Sequence, residues 1–142
     1  MKKINMVDLN GQYRKIRWQI NREIKKVIKS SSFINGPVVK EFQNNLQNYL
    51  NVRHVIPCAN GTDALQIALM ALDLKRGDEV ITTNFSFAST IEVILLLGLK
   101  PVIVDIDPKT FNINPSLIES KITKKTKVII PVHLFGQSCR IE

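Results

Sequence analysis

Between one apolar stretch and the next lies Cys58-Ala59-Asn60-Gly61-Thr62-Asp63-Ala64-Leu65, a run of small and polar residues. Flanked by a strand and a helix, such a run meets the first helical turn, where backbone N–H groups lack intrahelical partners and can hold a phosphate. Gly61 lets the backbone come close to a ligand, and Thr62 and Asp63 supply N–H donors. A phosphate at that position gains about 0.3–1 kcal/mol from the helix dipole, in addition to its hydrogen bonds. The simpler reading is that Thr62 or Asp63 only caps the helix, and spacing alone does not remove it. Neither G-x-G-x-x-G nor G-x-x-x-x-G-K-[ST] occurs, so no dinucleotide fingerprint or P-loop is present. A second loop, Thr82-Thr83-Asn84-Phe85-Ser86-Phe87-Ala88-Ser89-Thr90, sets two aromatics among small polar residues. Either one ring stacks on a flat cofactor while the other packs inward, or both anchor the following helix.

The elements that would position these loops follow from periodicity. Ile16, Ile20, Ile24 and Ile28 stand at i, i+4 spacing, which predicts an amphipathic helix from about Tyr13 to Lys29. Ser30 to Pro37 breaks it with turn-forming residues, and a second helix follows with Val39, Phe42, Leu46 and Tyr49 on one face. From His54 onward, short apolar runs alternate with helical stretches. The strands expected are His54–Cys58, Glu79–Thr82, Pro101–Asp105 and Lys127–Val132. The helices expected between them are Thr62–Leu72, Ser86–Leu97 and Pro115–Ile122, with Gly77 and Gly98 where helices end and strands begin. This alternation predicts an α/β domain with a mostly parallel sheet and helices on both faces. Both candidate loops then sit at the carboxyl ends of strands, where open α/β sheets bind ligands. The expected organisation is an N-terminal helical arm, residues 1–52, and a partial α/β domain, residues 53–142. Ending on a strand and an open loop, the chain reads as the front part of a larger protein.

Composition narrows the class of function. The 142 residues are 44% hydrophobic and 23% charged, as in an ordinary globular protein long enough to bury a core. No apolar run reaches membrane-spanning length, and no apolar leader core follows the charged start before Asp8, so a cytoplasmic location is expected. Cys58 and Cys139 read as two unpaired thiols, and His54 and His133 lie too far apart to suggest a metal site. The net charge of +8 raises nucleic acid as a partner. The cations of the first helix and those at Lys121, Lys124, Lys125 and Lys127 alternate with apolar residues, however, as solvated faces do. Neither nucleic acid nor membrane is expected as a partner.

Four segments occur in order: Asn60-Gly61-Thr62-Asp63-Ala64-Leu65, Gly77-Asp78-Glu79-Val80-Ile81-Thr82, Pro101-Val102-Ile103-Val104-Asp105-Ile106-Asp107-Pro108 and Ile130-Pro131-Val132-His133-Leu134-Phe135-Gly136-Gln137. With Phe33-Ile34-Asn35-Gly36-Pro37 ahead of them, they resemble the N-terminal part of the DegT/DnrJ/EryC1/StrS family of sugar aminotransferases, over nearly the whole chain. Within that family the similarity is greatest to enzymes that aminate a 3-keto UDP-sugar for surface polysaccharides. The resemblance implies an incomplete large domain of the fold-type-I pyridoxal-phosphate transferases. It also implies pyridoxal 5'-phosphate as cofactor, an amino-acid donor (glutamate by expectation), a keto-sugar nucleotide acceptor and a homodimeric whole protein.

Residue by residue, the resemblance implies that the backbone amides of Thr62 and Asp63 hold the cofactor phosphate, that Gly61 belongs to the same cofactor site and that Phe87 stacks on the pyridine ring. Ser31 and Phe33 would lie near the nucleotide-sugar. Thr83 stands where the family usually has proline, with only a local backbone effect expected. The family's cofactor-binding lysine and the acid beside its pyridine nitrogen fall further along than Glu142, and Lys75, Lys109 and Lys127 do not fall in the matching motif. No catalytic residue is therefore expected among these residues, and the 142-residue chain is expected to be inactive alone. The alternative expectation is a non-catalytic remnant with a dimer-forming or ligand-binding role.

Overall fold

The computed structural model describes residues 7–141. For residues 1–6, the reading of the start as lacking a leader lies outside the described residues. Two compact units are present, Met1–Pro57 and Cys58–Glu142.

The first unit contains helix α1, Leu9–Ser30, and helix α2, Pro37–Leu50. Asp8 starts α1 with a side-chain cap, its Oδ1 accepting the Gly11 N–H at 2.8 Å, which carries the helix upstream of the Tyr13 start expected from periodicity. Ser31 ends it in the left-handed region at φ 53°. Gly36 must be glycine, because a Cβ there would collide with the Ser32 carbonyl oxygen, and Pro37 begins α2 at a position needing no N–H. The isoleucine stripe of α1 is 37–58% exposed, and no residue of α1 or α2 is buried.

The second unit contains helix α3, Gly61–Met70, strand β1, Glu79–Thr82, helix α4, Ser89–Leu96, and strands β2, Lys100–Ile103, and β3, Thr126–Ile129. The sheet runs β2-β1-β3, all parallel, with Ile81 opposite Val102 on one side and Ile129 on the other. Val80, Ile81 and Thr82 are fully buried, as a strand covered on both faces requires. Val80 packs with Leu69, Val93, Ile94 and Leu99 beneath α3 and α4. Ile81 faces the other way onto Val104, Ile113 and Cys139. Gly98 makes the turn from α4 into β2 at φ +71°. Its N–H donates to the Leu95 carbonyl, and the Leu99 N–H to that of Ile94, which satisfies two orphan carbonyls in a Schellman motif.

Two expected elements do not form. His54–Cys58 has no regular structure and pairs with no strand among the described residues, and Ile56 is 73% exposed. Apolar residues make a strand only where a neighbour takes up the backbone N–H and C=O groups, and Pro57 has no N–H to offer. Pro115–Ile122 is two 3₁₀ turns, Pro115–Leu117 and Glu119–Lys121, instead of an α-helix. Asn114 Oδ1 takes the Ser116 N–H and the Ser120 hydroxyl bonds to the Leu117 carbonyl, local bonds that compete with a continuous helix.

Glu79 ties the three strands together where β1 begins. Its carboxylate accepts from Lys100 Nζ of β2 at 3.0 Å and from Thr123 Oγ1, ahead of β3, at 2.6 Å. The Thr123 hydroxyl first and the Lys100 ammonium second hold the carboxyl below its ordinary value of 4.5. A depressed carboxyl contributes stability that is present above its unfolded-state value and lost as the pH falls through the lower folded value. Glu79→Gln is therefore expected to lower the melting temperature at neutral pH and to flatten the loss of stability between about pH 5 and pH 3, the window around an ordinary Glu. Circular dichroism melts across that range check it; an unchanged acid slope contradicts the assignment.

Candidate functional site

Helix α3 begins with an Asx cap. Asn60 is extended, its carbonyl accepts the Ala64 N–H at 3.1 Å and its Oδ1 accepts the Asp63 N–H at 2.9 Å. Asn60 Nδ2 in turn donates to Asp63 Oδ2 at 3.1 Å. The Asp63 amide is thus taken by the protein. The amides of Gly61 and Thr62 have no hydrogen-bond partner among the described residues. A Cβ built on Gly61 would meet no atom within 4 Å, so neither packing nor a left-handed φ accounts for a glycine there. Two free amides at the positive end of a helix, with open space over the glycine between them and solvent, fit a phosphate group. Of the two amides expected to hold phosphate, that of Thr62 is free and that of Asp63 is taken by Asn60, while Gly61, expected to let the backbone come close, also presents a free donor. Asn60 is absent from the expected set, although the pattern of Asn followed three residues later by an acid signals a reciprocal cap.

The loop after β1 separates its two aromatics. Phe85 packs on Phe111 with ring centroids 5.8 Å apart, whereas Phe87 is 78% exposed. The reading in which both rings anchor the following helix therefore does not hold. Thr82 Oγ1 donates to the Ile130 carbonyl at 2.9 Å, which fixes the carboxyl end of β1 to the exit of β3. Thr83 is buried and its Oγ1 accepts the Phe85 N–H at 3.2 Å. The expected local effect of a threonine at that position is thus a side-chain-capped turn. Asn84, Phe85 and Ser86 share a cleft of about 240 Å³ with Leu134 and Phe135 from the loop beyond β3. Two loops at the carboxyl edge of the sheet meet there, as the topology requires.

Thr62 and Gln66 of α3 share a groove with Glu92 and Leu96 of α4, the helix that Phe87 leads into. Ser31 and Phe33 lie in the first unit. Ser31 is the α1 cap, its N–H bonded to the Ile28 carbonyl, and Phe33 is 62% exposed.

On the far side of the sheet, Asn112 is buried and its Nδ2 donates to the Ser138 carbonyl at 3.0 Å, while its Oδ1 has no partner among the described residues. Asp107 is held below the ordinary carboxylate range by the Lys109 and Thr110 amides. These bonds shape the turn before Asn112 and involve none of the loop residues above. Cys139 is buried, its N–H donating to His133 Nδ1 at 3.0 Å, and Cys58 is exposed; both thiols are free. Among the described residues no His, Cys, Asp and Glu cluster could hold a metal ion, and no helix is long and apolar enough to cross a membrane.

Residues 14–142 match the profile of the DegT/DnrJ/EryC1/StrS aminotransferase family. A UDP-2-acetamido-2-deoxy-3-oxo-D-glucuronate aminotransferase of Pseudomonas aeruginosa is 48% identical over 94% of this chain and 37% of its own length. The crystal structure of a DegT DnrJ EryC1 StrS aminotransferase from Brucella abortus superimposes with a TM-score of 0.86 at 40% identity, over 97% of this chain and 39% of that one. That of NtdA from Bacillus subtilis, with bound cofactor PMP, gives 0.84 at 40% identity, over 95% and 32%. The chain thus spans well under half the length of the relatives it matches.

If Phe87 faces a ligand and not the core, removing its ring costs the fold little. Phe87→Ala is expected to change unfolding free energy by no more than about 0.5 kcal/mol, the range for exposed positions. Urea denaturation measures it; a loss of about 3 kcal/mol, typical of a core Phe, would put the ring inside.

Proposed function

The chain belongs to the DegT/DnrJ/EryC1/StrS aminotransferase family, and on that footing we propose that it is the N-terminal part of a pyridoxal-phosphate-dependent sugar aminotransferase. The whole enzyme moves an amino group from an amino acid, glutamate being the expected donor, to a keto-sugar nucleotide for surface polysaccharide synthesis. The activity of the Pseudomonas aeruginosa relative supports a 3-oxo UDP-sugar as acceptor. In this reading residues 1–52 are a helical arm, residues 53–142 are part of the cofactor-binding domain, and the whole protein is a cytoplasmic homodimer. The lysine that binds the cofactor covalently lies outside these 142 residues, so the chain alone does not turn over.

The observation that carries the proposal is the pair of free amides at Gly61 and Thr62 with open space over the glycine. Those amides hold the cofactor phosphate, with Asp63 closing the turn behind them through Asn60. Phe87 offers its exposed ring to the flat face of the pyridine. When bound, pyridoxal phosphate supplies the carbonyl and the electron-withdrawing ring that amino transfer needs. Ser31 and Phe33 lie near the nucleotide-sugar in the whole enzyme. The chain's own residues thus bind and orient the cofactor, and the proton transfers fall to groups elsewhere in the whole enzyme.

The test separates ligand contact from folding. Equilibrium dialysis of the 142-residue chain is expected to show pyridoxal phosphate bound at least about tenfold more tightly than pyridoxal, equivalent to about 1.4 kcal/mol from the phosphate. Gly61→Ala is expected to keep or slightly raise the melting temperature, since the added methyl meets no protein atom and alanine favours helix. It is also expected to weaken pyridoxal phosphate while sparing pyridoxal. Equal binding of the two compounds, or a Gly61→Ala variant that binds pyridoxal phosphate normally, would rule out this seat.

A further inference from the structure

We infer that Phe111 is a positioning residue for Phe87. Its ring props Phe85 and thereby sets the short loop that presents the Phe87 ring to a ligand. The inference rests on the reading of Phe87 as the ring that stacks on the cofactor, and concerns what holds that ring in place.

Most of the Phe87 surface is exposed, so the backbone on either side sets its direction. On the carboxyl side its carbonyl accepts the Thr90 N–H at 3.2 Å, which fastens it to the start of α4. On the amino side the loop is fastened at Phe85. There the N–H donates to Thr83 Oγ1 at 3.2 Å, and the ring meets that of Phe111 at 5.8 Å between centroids, tilted by 30°. A ring already held in place stacks on a ligand without first having to be ordered.

The turn that carries Phe111 is strained at that residue. Ile106 and Ile113 pair across it as an antiparallel bridge. Inside it the Asp107 N–H donates to the Asn112 carbonyl at 2.9 Å, and the Phe111 N–H to the Asp107 carbonyl at 2.8 Å. Asp107 Oδ1 also accepts the Lys109 and Thr110 N–H groups. Phe111 sits in the left-handed region at φ 60°, which glycine or asparagine adopts readily and an aromatic does not. None of these bonds involves the ring. The ring is half-exposed and belongs to neither core cluster, so core burial does not account for an aromatic there. The contact with Phe85 does.

Strain of this kind persists only where the surroundings over-determine it, and it gathers where a group must be held for a ligand. Here the next residue anchors the turn, because Asn112 is buried and its Nδ2 donates to the Ser138 carbonyl at 3.0 Å. The prop under Phe85 is thus fixed from outside the loop that it supports. Without the Phe111 ring, Phe87 keeps its tie to α4 and loses the ring contact on its other side.

Pyridoxine tests this, since it carries the ring without the phosphate and without an aldehyde that would react with surface lysines. Dissociation constants of pyridoxine and of inorganic phosphate are measured for the 142-residue chain, for Phe87→Ala, for Phe111→Asn and for the double variant. Asparagine accepts the left-handed conformation and removes the ring, whereas Phe111→Tyr keeps the ring. Phe111→Asn is expected to weaken pyridoxine about fivefold, within the worth of one aromatic contact, with inorganic phosphate unchanged. Phe111→Tyr is expected to bind as the wild type does. In the Phe87→Ala background, Phe111→Asn is expected to cause no further loss, because both act through one ring. Phe85→Ala removes the same contact from the other side and is expected to show the same selective loss, which keeps the inference falsifiable where Phe111→Asn does not fold. Unchanged pyridoxine binding in the folded variants, an equal loss with and without Phe87, or a parallel loss of inorganic phosphate would overturn the inference while Phe87 keeps its role. A wild-type chain that binds pyridoxine no better than Phe87→Ala removes the reading of Phe87 itself, and the inference with it.

Discussion

The carboxylate of Glu79, reaching Lys100 of one neighbouring strand and Thr123 ahead of the other, is the joint on which the second unit is built. Strand β1 is covered on both faces and flanked on both sides, so each of its backbone groups depends on β2 or β3. At its far end Thr82 makes the matching tie, its hydroxyl bonded to the carbonyl of Ile130. Held at both ends, in register with β2 and with a one-residue shift against β3 between Glu79 and Val80, the strand decides where the following loops emerge.

From that frame the position of the site follows. Val80 turns toward α3 and α4 and Ile81 toward the opposite layer, so the strand's alternation sets one helical layer over one face. The loop after Thr82 leaves at the carboxyl edge and sets Phe85, still 43% exposed, against Phe111, while Phe87 is left 78% exposed. Packing α3 on the same face as α4 sets the free amides of Gly61 and Thr62 at the start of a rigid element, not on a mobile loop. The rigidity matters because an anion gains from oriented amides only if their orientation is fixed before it arrives.

Much of this was legible in the residues. Glu79–Thr82 is a strand over the expected range, α4 falls within Ser86–Leu97, and α3 begins at Gly61, one residue ahead of the expected Thr62–Leu72. Gly98 ends its helix as a glycine at that point should. The order of motifs was enough to place the chain in a family, and the profile match over residues 14–142 agrees. What periodicity misjudged were segments whose state depends on distant partners. His54–Cys58 has the apolar character of a strand but no ladder neighbour among the described residues. Pro115–Ile122 has helical spacing, yet Asn114 and Ser120 draw its backbone into 3₁₀ turns.

The alternation of elements, the polar loop before α3 and the two aromatics after β1 can be read from the residues alone. These depend on local chemistry: side-chain volume, turn preference and periodicity. Which donors of that loop stay free, and which of its two rings finds a neighbour, depends on the folded packing. Both are decided by competition for partners, which spacing does not record. Asp63 has an amide like its neighbours, but Asn60 reaches it first. Phe85 and Phe87 differ by two positions in one loop, but only one of them finds Phe111.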